Sequence, residues 1–151
     1  MKKKDQLALI QLKYLTNNQV TVIGKSMYPC LQEGDQVYLD KHPRYQVGDI
    51  IVFSYEGGIL IHRIVARYNG SLLCKGDNAF AIEKIFMSQV YGKVVTIKRN
   101  GTTVSLLSMS KEFYKLSIAI NKIYCASNYD IEKTKSSTSY KLFFMKYLNW
   151  E

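Results

Sequence analysis

The sequence predicts a mainly β protein: a compact antiparallel fold with a short N-terminal helix and a C-terminal helical extension. Three observations carry this prediction. Seven runs rich in β-branched and aromatic residues follow one another between Gln19 and Leu107. Asn69-Gly70 and Asn100-Gly101, strong hairpin dipeptides because both residues tolerate positive φ, separate two pairs of these runs. From Ser108 onward the apolar spacing changes from two residues to three or four. There is no βαβ rhythm and no internal repeat.

Taken in order, Asp5 can cap a helix through about Leu15, with Leu7, Ile10, Tyr14 and Leu15 forming a partial apolar face and Asn17-Asn18 ending it. The predicted strands are Gln19 to Ile23, Gln36 to Asp40, Asp49 to Tyr55, Ile59 to Tyr68, Ser71 to Lys75, Gln89 to Arg99 and Thr102 to Leu107. Gly57-Gly58 adds a turn, and Gly34-Asp35 and Gly48-Asp49 read as turns too. In the tail, Phe113, Leu116, Ile120 and Ile123 recur at helical spacing, with Ser110 as the expected cap. A polar stretch, Thr134 to Ser139, is expected to separate this helix from a second one bearing Tyr140, Phe143, Phe144, Tyr147 and Leu148 on one face. The expected division is a domain over residues 1–109 and a basic amphipathic extension over 110–151.

A chain of 151 residues can bury a proper core in one globular unit. Its 47% apolar and 13% aromatic content excludes a disordered chain. The net charge of +9 is unevenly spread. Residues 26–97 carry seven basic and seven acidic groups, whereas residues 98–151 carry nine basic and four acidic. A neutral middle does not suit nucleic acid, and the basic ends could meet a membrane surface or a transporter. Cys30, Cys74 and Cys125 are odd in number and widely spaced, without a Cys-x-x-Cys or Cys/His cluster. Reduced thiols, no metal and no cofactor are expected. The longest charge-free stretches are too short to cross a bilayer.

Ser26 sits between a strand-like run and the backbone restriction of Pro29, a placement that would hold its hydroxyl at a fixed point on a turn. A serine nucleophile needs a base within hydrogen-bond reach, and the chain has only two histidines. His42, before Pro43, reads as a loop residue. His62 shares a strand face with Leu60, Ile64 and Ala66, where a histidine is by itself more simply a satisfied core residue. Arg63 cannot serve as a base, because guanidinium stays protonated.

Four segments in order, Ser26-Met27-Tyr28-Pro29-Cys30-Leu31-Gln32-Glu33-Gly34-Asp35, Gly48 to Phe53, Ile61-His62-Arg63-Ile64-Val65 and Lys75-Gly76-Asp77-Asn78, resemble the signal peptidase I family. The likeness is to its endoplasmic-reticulum and archaeal branch, since the bacterial branch and self-cleaving repressors place lysine where His62 stands. The resemblance spans roughly half of the chain and stops before the tail.

The resemblance implies a signal-peptidase-like β fold and acyl transfer: Ser26 attacks a peptide carbonyl, His62 acts as general base and then acid, and Asp77 orients the imidazolium. The family also has an acidic residue six positions beyond Asp77, where Glu83 stands, making Glu83 the alternative third member. The Ser26 N–H is the expected oxyanion donor; Gly24 stands where many relatives supply a second, from serine. Such peptidases usually carry an N-terminal membrane anchor, which is not recognisable here. The expected function is therefore a cytoplasmic or peripheral leader peptidase that trims precursor peptides held beside the strands of Val20 to Gly24 and Ile50 to Tyr55. The alternative is a self-cleaving or purely peptide-binding regulator or partner protein on the same fold.

Overall fold

The computed structural model describes residues 18–40 and 44–147. The expected helix from Asp5 to Leu15, and His42, lie outside the described residues. Among the described residues, eight strands form one antiparallel sheet: β1 (Gln19–Thr21), β2 (Gln36–Asp40), β3 (Ile50–Tyr55), β4 (Gly58–Tyr68), β5 (Ser71–Lys75), β6 (Glu83–Phe86), β7 (Val90–Arg99) and β8 (Thr102–Val104). Their order across the sheet is β1-β2-β7-β3-β4-β5-β6, with β8 paired to the far end of β7. The mainly β, antiparallel fold expected from the sequence is the fold observed.

Three hairpins share one turn chemistry. Glu56-Gly57, Asn69-Gly70 and Asn100-Gly101 each place both central residues at positive φ, the requirement of a type I′ turn whose twist matches the flanking strands. Strand β6 was not expected. It follows the Lys75–Asn78 turn and pairs with β5 through Cys74↔Glu83 and Leu72↔Ile85. Its alternation of buried Glu83 and Ile85 with exposed Lys84 and Phe86 is a period-2 signal hidden by a charged residue on the inner face.

Strands β3 and β4 are covered on both faces, which explains the unbroken apolar run Ile50-Ile51-Val52-Phe53. Ile50 and Val52 join a core with Val20, Met27, Leu31, Val37 and Ile97. Ile51 and Phe53 join another with Ile64, Leu72, Cys74 and Ile85. Their alternation sends successive side chains to opposite cores.

The tail folds into α1 (Leu106–Ala126), α2 (Ile131–Ser136) and α3 (Thr138–Tyr147). Here two expectations are corrected. Helix α1 begins at Leu106 rather than behind a Ser110 cap, and β8 ends at Val104; both residues pack against the β1-β2-β7 core, so the chain turns into helix as soon as it leaves the sheet. Thr134 to Ser139 is not a spacer. Thr134 is fully buried with its hydroxyl donating to the Asp130 carbonyl at 2.7 Å, and only Ser137 interrupts the helices.

Asp130 caps α2 by accepting from the Lys133 N–H at 2.9 Å. Ile120, Tyr124 and Tyr140 close a third core with Val65, Ala66 and Leu73, so the helices cover the β4–β5 part of the sheet. No helix among the described residues is long and apolar enough to cross a membrane.

Candidate active site

Ser26 stands on a loop that returns on itself. The Val22 N–H donates to Asp35 O at 2.8 Å and the Gly34 N–H donates to Val22 O at 2.9 Å, closing the base of the loop. Met27, Cys30 and Leu31 are buried beneath it and anchor it to the core. Gly24 (φ +82°) turns the chain into the loop, and the Tyr28–Pro29 peptide is cis. Ser26 itself stays partly exposed.

The turn after β5 locks this loop from the other side. The Asn78 N–H donates to Ser26 O at 2.8 Å, and the Asn78 side-chain amide donates to Lys25 O at 3.2 Å. Gly76 must be glycine here for reasons of space. A Cβ on it would lie 2.7 Å from Ser26 O, 3.0 Å from the Ala79 methyl and 3.1 Å from His62 Nε2. The sequence singled out this segment for Asp77; the positioning contacts of Gly76 and Asn78 were missed, since nothing in a Gly-Asp-Asn tripeptide says which loop it will touch.

His62 projects from β4 opposite Ile51 of β3 and is 5% exposed. The edge of its ring packs near Phe53, centroids 6.2 Å apart. Nε2 lies 3.2 Å from Ser26 Oγ, and Nδ1 lies 3.0 Å from Glu83 Oε2. The β5–β6 register, Cys74↔Glu83, brings the Glu83 carboxylate to this point.

Asp77 is elsewhere. It forms a two-pronged ion pair with Arg63, whose Nε donates to Oδ1 and whose Nη2 donates to Oδ2, both at 2.8 Å, and Arg63 Nη1 donates to Gly48 O at 2.7 Å. Arg63 and Asp77 are both almost fully buried. Asp77 was expected on His62 by its place in the motif; the structure puts Glu83 there instead. The physical reason is facing. Arg63 points to the other side of β4 from its neighbour His62, and holds Asp77 in a bidentate geometry.

The other charged groups have structural surroundings. Burial raises the Cys30 thiol to about 12, with the Asp77 charge adding to it, so Cys30 below the serine loop is a neutral packing group at neutral pH. Burial lowers Lys75 to about 8, against the pull of the Asp77 and Glu83 carboxylates, and its Nζ donates to Gly76 O at 2.9 Å. Asp35 does more than turn the chain: it accepts two bonds from Arg99, at 2.8 and 2.7 Å. No cluster of three or more metal-ligating side chains occurs among the described residues.

A cavity of about 60 Å³ opens beside Ser26, walled by Val20–Ile23 on one side and Ile59–Ile61 on the other. Among the described residues, β1 pairs only through one edge, and Gly58–His62 of β4 pair only with β3. Two free strand edges therefore flank the serine. The second wall is this first half of β4; the expected one, Ile50 to Tyr55, is enclosed between β4 and β7.

A hydroxyl on one imidazole nitrogen and a carboxylate on the other form an arrangement able to move the serine proton to the ring and to stabilise the resulting imidazolium. The sequence pattern of the family described as Peptidase S24-like matches residues 16–95, more than half of the chain, from just before β1 into β7. The chain belongs to the Peptidase S24-like family. This is a serine-peptidase family, and the match covers Ser26, His62, Asp77 and Glu83, while α1 to α3 fall outside it. No curated protein matches the chain. Within this S24-like peptidase fold, the tail still reaches towards the site: the Tyr140 hydroxyl of α3 donates to Phe80 O at 2.8 Å, in the segment between Asn78 and Glu83.

Proposed function

We propose that this S24-like chain is a serine endopeptidase that cuts leader or signal-like segments from precursor peptides, with Ser26 as nucleophile, His62 as general base and Glu83 as the carboxylate that orients His62. The observation that carries the reading is the Ser26 Oγ–His62 Nε2–Glu83 line of contacts at 3.2 and 3.0 Å in a largely buried setting. His62 takes the serine proton as Oγ attacks the peptide carbonyl, Glu83 stabilises the imidazolium, and His62 returns the proton to the leaving amine. Water then releases the acyl group by the same path in reverse.

The Ser26 N–H has no acceptor among the described residues, which supports its use as an oxyanion donor. An extended peptide added between β1 and the first half of β4 would satisfy both free edges, and a cavity as small as this one favours a small side chain beside the cut. Histidine rather than lysine beside the serine supports kinship with the endoplasmic-reticulum and archaeal signal peptidases. Cys30, Cys74 and Cys125 form no disulfide and Cys125 is exposed, which suits a reducing compartment, in keeping with a cytoplasmic peptidase. We read residues 110–151 as an added layer that backs the domain of residues 1–109.

The test is labelling with a fluorophosphonate, together with mass spectrometry of a diverse peptide library and of the intact chain, for the wild type and Ser26→Ala. Labelling of Ser26 and library cuts made by the wild type alone are expected. Loss of mass from the chain itself without library cuts would assign the self-cleaving alternative. The absence of both labelling and cuts would overturn the enzyme reading.

A further inference from the structure

Helix α1 carries a charged face that the serine site does not use. Its inner face is Phe113, Ser117, Ile120 and Tyr124, all buried. On the opposite face Lys111, Lys115 and Lys122 are exposed and, at about 100° per residue, fall within a sector of about 40°. The row runs about 16 Å along the helix. Among the described residues no ion pair holds any of the three. Lys111 and Lys115 stand four positions apart, where like charges repel, so the helix itself gains nothing from the arrangement.

The row begins at a cavity of about 530 Å³ between α1 and the sheet. Among the described residues its aliphatic walls are Ile50 of β3, Val94 and Val95 of β7 and Leu106 of α1, while Lys111 and Tyr114 line its α1 side. The Tyr114 ring rests on Gly48, where a Cβ would run into it, and is 45% exposed, an apolar body with a polar tip of the kind that interfaces use. The carboxylate on the wall, Asp49, is already engaged: it accepts the Gln46 N–H at 2.8 Å and lies 3.6 Å from Lys93 Nζ. Arg63 also lines the cavity and points away from His62, so this cavity lies on the other side of β4 from the imidazole.

We propose that the cavity and the lysine row of α1 form a docking site for an acidic peptide segment, separate from the groove beside Ser26: an aliphatic side chain enters the cavity and the carboxylates that follow it pair with Lys111, Lys115 and Lys122. A single anionic group needs one lysine, whereas a row of about 16 Å matches repeated negative charge along about five extended residues. A bilayer is met by apolar side chains that project into it, but here the apolar surface is recessed and receives a side chain. A nucleic acid would bring phosphates for the lysines and no aliphatic group for the cavity. In a peptidase such a site adds affinity by tethering the precursor away from the cut, a step that rests on the reading of Ser26 as nucleophile; the docking itself does not.

The experiment is fluorescence anisotropy on the full chain carrying Ser26→Ala, which leaves the probe intact and makes the outcome independent of turnover. The probe is a fluorescent peptide of Glu-Glu-Leu repeats, compared with Glu-Glu-Ser and Lys-Lys-Leu repeats. The Glu-Glu-Leu peptide should bind, should weaken as salt rises, and should bind about tenfold less tightly when Lys115→Glu and Lys122→Glu are added. Both lysines are exposed, and a retained unfolding transition shows that this variant keeps its fold. The Glu-Glu-Ser peptide should bind less tightly than Glu-Glu-Leu, and Val95→Trp, which fills the cavity from its half-open side, should remove that difference. Absence of Glu-Glu-Leu binding, equal binding of Lys-Lys-Leu, or binding undiminished by the two charge reversals overturns the proposal, and a leucine preference that survives Val95→Trp overturns the part given to the cavity. Tighter binding to phosphatidylglycerol vesicles or to a single-stranded oligonucleotide than to the peptide also overturns it, in favour of a membrane or a nucleic acid.

Discussion

Glu83 Oε2 lies 3.0 Å from His62 Nδ1, while Asp77, the acid within the Lys-Gly-Asp-Asn motif, is bonded to Arg63. The two carboxylates should therefore fail differently when neutralised. Glu83→Gln should lower kcat about 10²- to 10⁴-fold with the fold retained. Asp77→Asn leaves a buried guanidinium without its counter-charge and should cost about 3–5 kcal/mol of stability. Denaturant unfolding and peptide turnover, measured on both variants, separate these outcomes. Turnover lost in a folded Asp77→Asn and kept in Glu83→Gln would reverse the assignment.

Gly76→Ala should damage activity more than stability. The added methyl meets Ser26 O at 2.7 Å and His62 Nε2 at 3.1 Å, so either the serine loop or the ring must shift. A displacement of about 1 Å between reacting groups can cost about 10²-fold in rate. The expected result is a fall in kcat of about that size with a cooperative unfolding transition preserved; a kcat within about twofold of wild type would show that the contact yields without consequence.

Asp35 links stability to acid. Burial alone would raise its carboxyl, but the Arg99 hydrogen bonds, the Gln32 N–H and the Arg99 charge together outweigh burial and hold it below 3.8. A lowered acid pKa stabilises the folded state above the unfolded value and ceases to do so as pH falls through the folded value. Arg99→Gln should thus cost about 1 kcal/mol at neutral pH, kept modest by the partial exposure of Arg99, and the difference should vanish in strong acid. Urea melts of both proteins from neutral pH to about pH 2 test the convergence; a constant difference across the range would assign the loss to packing.

The three thiols should react unequally. Cys30 and Cys74 are buried and both are raised chiefly by burial, whereas Cys125 is exposed on α1. Iodoacetamide on the native chain should modify Cys125 alone, and modify all three after denaturation, as peptide mass mapping would record. Native modification of Cys30 would mean that the serine loop opens.

Most of the strands, the two Asn-Gly turns and Ser26 as a candidate residue were legible because each depends on local chemistry, whereas His62, by itself a plausible core residue, was singled out only by the family resemblance. Period-2 alternation, the tolerance of Asn-Gly for positive φ, and a serine before Pro29 all act within a few residues. Strand β6 was not legible, because Glu83 occupies an inward position where an apolar residue is the usual signal. The start of α1 was obscured by Leu106, whose apolar character serves a strand end and a helix start equally well.

The sequence by itself determined an antiparallel β fold with a helical tail and offered two carboxylates for one histidine. Only the tertiary structure shows which of them touches His62: Glu83, while Asp77 pairs with Arg63. The choice rests on the Cys74↔Glu83 pairing and on His62 and Arg63 pointing to opposite sides of β4. Strand side chains alternate with a period of two, so a slip of one residue in that pairing would turn Glu83 to the other face. Pairing register between strands is set by the cores packed on both faces of the sheet, a property of the whole fold that no short motif contains.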